Sequence, residues 1–365
     1  MKKGVLLLGL LIAAVLIYAM AWPARFAPVA WQPAPEREMA ASKLGSVARL
    51  AETAGTGPET VIVGPDGALY TGYADGSVHR LTRSGPETLA TDTVIARTGG
   101  RPLGLAFAPD DCTLYVADAD LGLLSVADAP TRQDADDGFQ PLTQAAGGTA
   151  FGFTDDVTVA ADGRVFFTDA SSRWSQAAYK TAILEHAGDG RLLVYDPADR
   201  QTRVLLDGLQ FANGVALSQD ERFVLVNETS AYRVRRYWLA GPKEGQDEIV
   251  IDGLPGFPDG ISRAPGADRY WIALFAPRNA LLDFAADKPY LRRLTWRLPE
   301  ALQPKAAHVA HVLAIDGQGQ VLVNRLDAAD SAYAPVTSVV QDADELVLGS
   351  LEQRAIGRVN AATAR

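Results

Sequence analysis

A single cysteine, Cys112, stands in 365 residues. An intrachain disulfide is therefore excluded, and so is any cysteine-rich zinc or iron–sulfur site. Positive charge is also scarce, with 34 Lys and Arg against 44 Asp and Glu and a net charge of −10. A surface that tracks nucleic-acid phosphates needs a positive balance or a basic stripe, so no nucleic-acid partner is expected. The body of the chain also lacks apolar spacing of helical period over any useful length. What is present is a globular composition, 48% hydrophobic and 21% charged, enough to bury a core and incompatible with disorder. The 33 Gly and 21 Pro are spread along the chain, as expected for many turns between short elements.

The N-terminus differs from the rest. Lys2 and Lys3 precede an apolar run from Gly4 to about Trp22, with no charge before Arg25. About 19 residues at 1.5 Å each span roughly a bilayer core. Ala19-Met20-Ala21 also fits the small-x-small pattern of a cleaved signal. Retention as an anchor is the preferred reading, because the run is long for a signal core and Tyr18 and Trp22 suit an interfacial belt. On either reading the lysine pair keeps the N-terminus cytoplasmic and the body is exported. The expected placement is a single-pass membrane protein with its body on the non-cytoplasmic side, periplasmic in a bacterium. The alternative is a secreted chain cleaved near Ala21. This divides the sequence into residues 1–22 (signal anchor or signal peptide), 23–49 (linker and first packing segment) and 50–365.

The body repeats itself. Thr60 to Tyr70, Gly104 to Tyr115 and Asp156 to Phe166 each read as a short apolar strand, an Asp-Gly-type turn and a second β-rich strand. Further copies start at Gly214, Gly260 and Ser338, and outer-strand signals such as Gly190 to Tyr195 and Tyr232 to Trp238 lie between them. Six all-β copies predict a six-bladed β-propeller over residues 50–365, behind the N-terminal transmembrane or signal helix.

In a propeller the innermost strands line a central channel, so one register in successive repeats converges on the axis. The residues seven positions before each turn are Glu59, Leu103, Asp155, Asn213, Asp259 and Thr337. Four of the six offer oxygen ligands. Carboxylates converging there would repel by roughly 4 kcal/mol per pair at 4 Å and intermediate dielectric, so the register calls for a cation or for raised pKa values. An all-oxygen set favours a hard cation, Ca²⁺ ahead of Mg²⁺, held by Glu59, Asp155, Asn213 and Asp259. Leu103 and Thr337 are expected to line the same substrate channel. The alternative is that these residues only cap strands and fix turns.

Gly190-Arg-Leu-Leu-Val-Tyr-Asp-Pro, Val204-Leu-Leu-Asp-Gly-Leu-Gln-Phe-Ala-Asn-Gly-Val-Ala-Leu-Ser and Arg236-Tyr-Trp-Leu-Ala-Gly-Pro-Lys resemble the strictosidine-synthase-like family. That family includes membrane-anchored members and is related to the gluconolactonase, senescence-marker and paraoxonase propellers. The resemblance runs from about Gly57 to Val359. It implies that Glu59, Asn213 and Asp259 fall on the Ca²⁺-binding pattern of the lactonases, with Asp155 where those enzymes usually carry Asn. The plant synthases instead use a catalytic Glu in the sixth blade, where this chain has Thr337. The expected function is therefore Ca²⁺-dependent hydrolysis of a lactone or ester, with Asp259 as the base and Asp155 as a second catalytic carboxylate, and no alkaloid-forming condensation. Asp156 is expected to point away from the channel, because neighbouring strand residues face opposite sides. A non-catalytic binding or scaffold propeller with a structural cation is the alternative. His308 and His311 are expected in surface or packing roles, Trp238 and Trp271 in the core, and Cys112 as a small buried residue. Loops 171–189 and 275–290 are expected to shape the pocket.

Overall fold

The computed structural model describes residues 25–361 except 53, 86, 87, 136 and 137, and before residue 25 only Leu6, Gly9, Leu10 and Tyr18. The apolar run from Gly4 to Trp22 thus lies almost wholly outside the described residues. Among the described residues no helix is long and apolar enough to cross a membrane.

Six blades of four antiparallel strands each make up the ring, and a fifth, parallel strand joins the outer edge of blade five. Their inner strands are Val61–Val63, Pro102–Phe107, Thr154–Val159, Ala212–Leu217, Gly256–Arg263 and Ser338–Asp342, in blades one to six. Each inner strand touches the next, and the sixth touches the first, so the ring closes. This is the six-bladed propeller that the repeats predict, and all six repeat copies fall on an inner strand and its neighbour.

The second strands read as unbroken apolar runs because both of their faces are covered by neighbouring blades. In blade four, Val224 and Val226 pack into the cluster shared with blade three, while Leu225 packs into the one shared with blade five. In blade six, Leu346 and Leu348 face blade five while Val347 faces blade one. Successive strand residues point to opposite faces, so one short strand serves two cores. Truncating such a side chain, as in Leu225→Ala, costs about 2–5 kcal/mol.

The segment before residue 50 contributes two strands. Ser42–Lys43 adds in parallel to the outer strand of blade five, Val321–Asp327. Ala48–Leu50 pairs antiparallel with Ile356–Asn360 and forms the outermost strand of blade six. The N-terminal part of the body thereby closes a blade that the C-terminal part begins.

Three short helices interrupt the β pattern on one face of the ring: Tyr179–Glu185, Ala280–Ala285 and Pro289–Trp296. The second starts at Asn279, whose side chain accepts hydrogen bonds from the N–H groups of Leu281 and Leu282 and caps the helix. A strap of residues 25–37 lies across this lid. The Ala27 N–H donates to Glu185 Oε1 at 2.5 Å, and the Val29 N–H donates to the Glu185 carbonyl at 2.9 Å. Phe26 stacks on Trp296, and Trp31 stacks on His186 at 4.0 Å between ring centroids.

Trp271 is buried as expected, and its Nε1–H donates to Gln341. Cys112 departs from expectation, for it is exposed. Asp110 Oδ1 accepts from the N–H groups of both Cys112 and Thr113, and this turn holds the backbone inward and turns the thiol outward.

Candidate functional site

The site register falls at the start of each inner strand, and local packing explains the residues beside it. Leu103, Asn213 and Asp259 are each followed by glycine. A Cβ on Gly214 would stand 2.4 Å from the Ile261 nitrogen, and one on Gly260 would stand 2.7 Å from the Thr337 carbonyl oxygen. Neighbouring inner strands approach so closely there that a side chain must be absent. In blade three the position holds Asp156, and its carboxylate bridges the gap. Oδ2 accepts from the Val215 N–H of blade four and Oδ1 from the Val157 N–H, both at 2.9 Å.

Glu59, Leu103, Asp155, Asn213 and Asp259 all line one cavity of about 180 Å³ beneath the lid. Its upper wall is apolar and comes from both loops expected to shape it, with Tyr179, Ile183, Phe275 and Leu282 among its residues. A third wall segment, Gln303 to Ala307, carries no signal in the sequence.

Thr337 is not on the cavity wall. It is fully buried, and its hydroxyl donates to the backbone carbonyl of Glu59 at 2.9 Å. The reason is the ring-closing seam, where Ser338 Oγ also donates to that carbonyl, at 2.7 Å. Asp156 faces the opposite mouth of the channel, a separate cavity of about 410 Å³. His311 is buried and pairs with Asn324, and His308 approaches the Ala332 carbonyl. Neither histidine borders the site cavity.

The carboxylates sit in a demanding electrostatic environment. Burial pushes Asp155 well above the ordinary carboxylate range, and the charges of Glu59 and Asp259 add to the effect. Asp259 is raised in the same way, by burial and then by Glu59, with a hydrogen bond from Asn213 opposing the shift. Burial also raises Glu59, against the opposing charge of Arg101 and a hydrogen bond donated by Thr60 Oγ1 at 2.9 Å. Asp156 is pushed up to about 7, again chiefly by burial.

Sequence reasoning passed over Arg101. This buried guanidinium lies close enough to act on Glu59, and it donates to the Gly57 carbonyl at 2.8 Å. It stands two positions before the register residue Leu103, and that placement was the only signal available.

The register carboxylates converge on one cavity. Among the described residues no three His, Cys, Asp or Glu side chains are grouped so as to hold an ion. Glu59 accepts from Thr60 beside it, and Asp259 is bonded by Asn213 of the neighbouring blade. The chemistry of the donors still fits a hard cation. All four are oxygen donors, the like charges repel, and Asp155 Oδ2 is buried without a hydrogen-bond partner.

Two family models match the chain: strictosidine synthase over residues 155–242, and the N-terminal region of strictosidine synthase-like proteins over residues 40–81. Adipocyte plasma membrane-associated protein from Rattus norvegicus is 34% identical over 333 residues, covering 87% of each chain. The chain belongs to the strictosidine synthase-like family. Solved structures with the same fold include a gluconolactonase from Xanthomonas campestris, with a TM-score of 0.59, 16% identity, and coverage of 93% of this chain and 99% of that one. A calcium-binding protein, regucalcin, from Agrobacterium tumefaciens superposes with a TM-score of 0.56 at 16% identity, covering 86% and 92%. The sixth-blade register position holds Thr337 and no carboxylate.

Proposed function

We propose that this strictosidine synthase-like propeller hydrolyses a lactone or ester in the cavity beneath its lid. The observation that carries the reading is the gathering of Glu59, Asp155, Asn213 and Asp259 at the floor of one cavity with an apolar upper wall. An acyl substrate needs an apolar wall for its chain and a polar floor for its reacting carbonyl. A carboxylate whose pKa is raised toward neutrality is a better proton acceptor at physiological pH than an ordinary one. Asp259 fills that role and takes the proton of the attacking water. Asn213 fixes its orientation through their hydrogen bond, and burial together with the charge of Glu59 keeps its proton affinity high. The fold shared with a gluconolactonase and with a calcium-binding regucalcin agrees with this reading.

Glu59, Asp155, Asn213 and Asp259 are the residues that would hold Ca²⁺, with Mg²⁺ as the second choice. Such an ion supplies Lewis-acid polarisation of the carbonyl and charge stabilisation of the oxyanion. We further propose that residues 4–22 anchor the chain with the propeller on the non-cytoplasmic side. The membrane-associated name of the rat relative agrees with that placement.

The deciding experiment screens the full chain against lactones and aryl esters, with Ca²⁺ and with chelator, beside Asp259→Asn. Hydrolysis that requires the ion and falls in the variant supports the reading. Hydrolysis indifferent to both overturns it. Ion binding without turnover of any panel member would favour the non-catalytic binding propeller.

A further inference from the structure

The geometry points to the lid as a membrane-docking surface: the helices over the cavity rest on a bilayer, so that the cavity mouth opens at the lipid interface. Among described residues 25–361, the large apolar side chains at least half exposed are Val29 (50%), Leu281 (53%), Phe284 (60%), Tyr290 (54%) and Leu302 (67%). Four belong to the lid or to the strap across it, and Leu302 lies in the short turn Glu300–Leu302 that follows the last lid helix. Leu281 and Phe284, three apart on one short helix, share a face. An apolar cluster of this kind on a monomer's surface marks a binding face.

Position points to the identity of the partner. Phe26 is buried against Trp296 of the lid, and the apolar N-terminal run ends near Trp22. Only Pro23, Ala24 and Arg25 lie between them, a span of at most about 14 Å, so an anchor that ends at Trp22 holds the lid beside the bilayer surface. Arg297 of the lid segment also donates to the Tyr18 carbonyl at 3.0 Å. Lys180, Leu282 and Lys305 of these same elements line the cavity, so the face that meets lipid is the one through which a ligand passes.

The test uses the full chain in vesicles containing brominated lipids, with Cys112→Ser as background. An environment-sensitive fluorophore is placed at Phe284→Cys or, on the opposite face, at the exposed turn position Gln219→Cys. Docking predicts a blue shift and strong bromolipid quenching at 284, at the depth of roughly 5–10 Å typical of interfacial helices, and neither change at 219. Adding Leu281→Asp and Leu302→Asp should abolish the quenching at 284 while leaving the melting temperature in detergent unchanged, since both side chains are exposed. Equal and weak quenching at both positions overturns the proposal, and that result needs only the reporter variants. A blue shift at 284 that appears in detergent without lipid and grows with protein concentration also overturns it, in favour of a second copy covering the patch. No substrate enters the measurement, so its outcome is separate from that of the hydrolysis assay.

Discussion

The Thr337 hydroxyl donates to the backbone carbonyl of Glu59 across the seam between the sixth and first blades. The position that resemblance to the plant synthases would assign to catalysis here joins the ends of the ring and fixes the strand end that carries Glu59. Because Ser338 donates to the same carbonyl, Thr337→Val should cost about 0.5–1.5 kcal/mol in chemical denaturation. Thr337→Val with Ser338→Ala should cost more than the sum of the two, since the carbonyl then loses both donors. A double variant that is merely additive would show that the seam does not depend on this carbonyl.

The raised carboxylates make stability depend on pH with a definite sign. An acid whose folded pKa lies above its unfolded value binds more protons when folded, so stability is greatest at low pH and falls as pH rises toward the folded pKa. Burial raises Glu59, burial and neighbouring carboxylate charge raise Asp155 and Asp259, and Asp156 rises to about 7. In chelator, melting temperature should therefore fall as pH is raised from 5 to 8. Asp155→Asn should flatten that fall. A chelated protein that becomes more stable over this range would contradict the assignment.

Added Ca²⁺ should reverse the loss. An ion that binds only the folded state contributes about 2.7 kcal/mol at a hundredfold excess over its dissociation constant. Glu59→Ala and Asp259→Ala should lose this increment in calorimetry. Elemental analysis beforehand excludes an ion carried through purification.

Asp259 of blade five and Asp156 of blade three are both raised carboxylates, yet only one faces the substrate cavity. Asp259→Asn should lower kcat by about 10²–10⁴, the usual cost of removing a general base. Asp156→Asn should leave kcat within a few-fold and act on stability, because its carboxylate bridges blades three and four. Equal losses of activity would argue against Asp259 as the base.

Glu185 binds the strap to the lid, accepting from the Ala27 N–H and from Trp174 Nε1, each at 2.5 Å. Glu185→Ala leaves both donors without this partner and should cost on the order of 1–3 kcal/mol. Hydrogen exchange should quicken at residues 27–31 and 179–185 before it changes in the blades. Uniform acceleration would show that strap and ring open together.

The blades were legible because each repeat combines period-two apolar strands with an Asp-Gly turn, and both signals are local. The register was legible for the same reason, and five of its six positions reach one cavity. Thr337 did not follow, because its orientation is set by a bond to the Glu59 carbonyl, which Ser338 shares, a pairing between residues far apart in sequence. Arg101 escaped notice because its effect on Glu59 acts through space. Cys112 was misjudged because an apolar tendency was weighed above the turn that Asp110 builds. The lid helices span only six to eight residues each, too short for a period to emerge.

The pairing of Ala48 with Arg358 also sets an order of events during synthesis. The strand that completes the sixth blade is among the first parts of the body to be made, and its partner is among the last. Until Ile356–Asn360 arrives, the early strand has no edge to join and the ring stays open. Contacts this distant in sequence slow folding, since the closure entropy is spent before the contact forms. A chain that is released early, or stalled before its final dozen residues are delivered, keeps unpaired strand edges on show, and those edges are what quality-control proteases and aggregation both recognise.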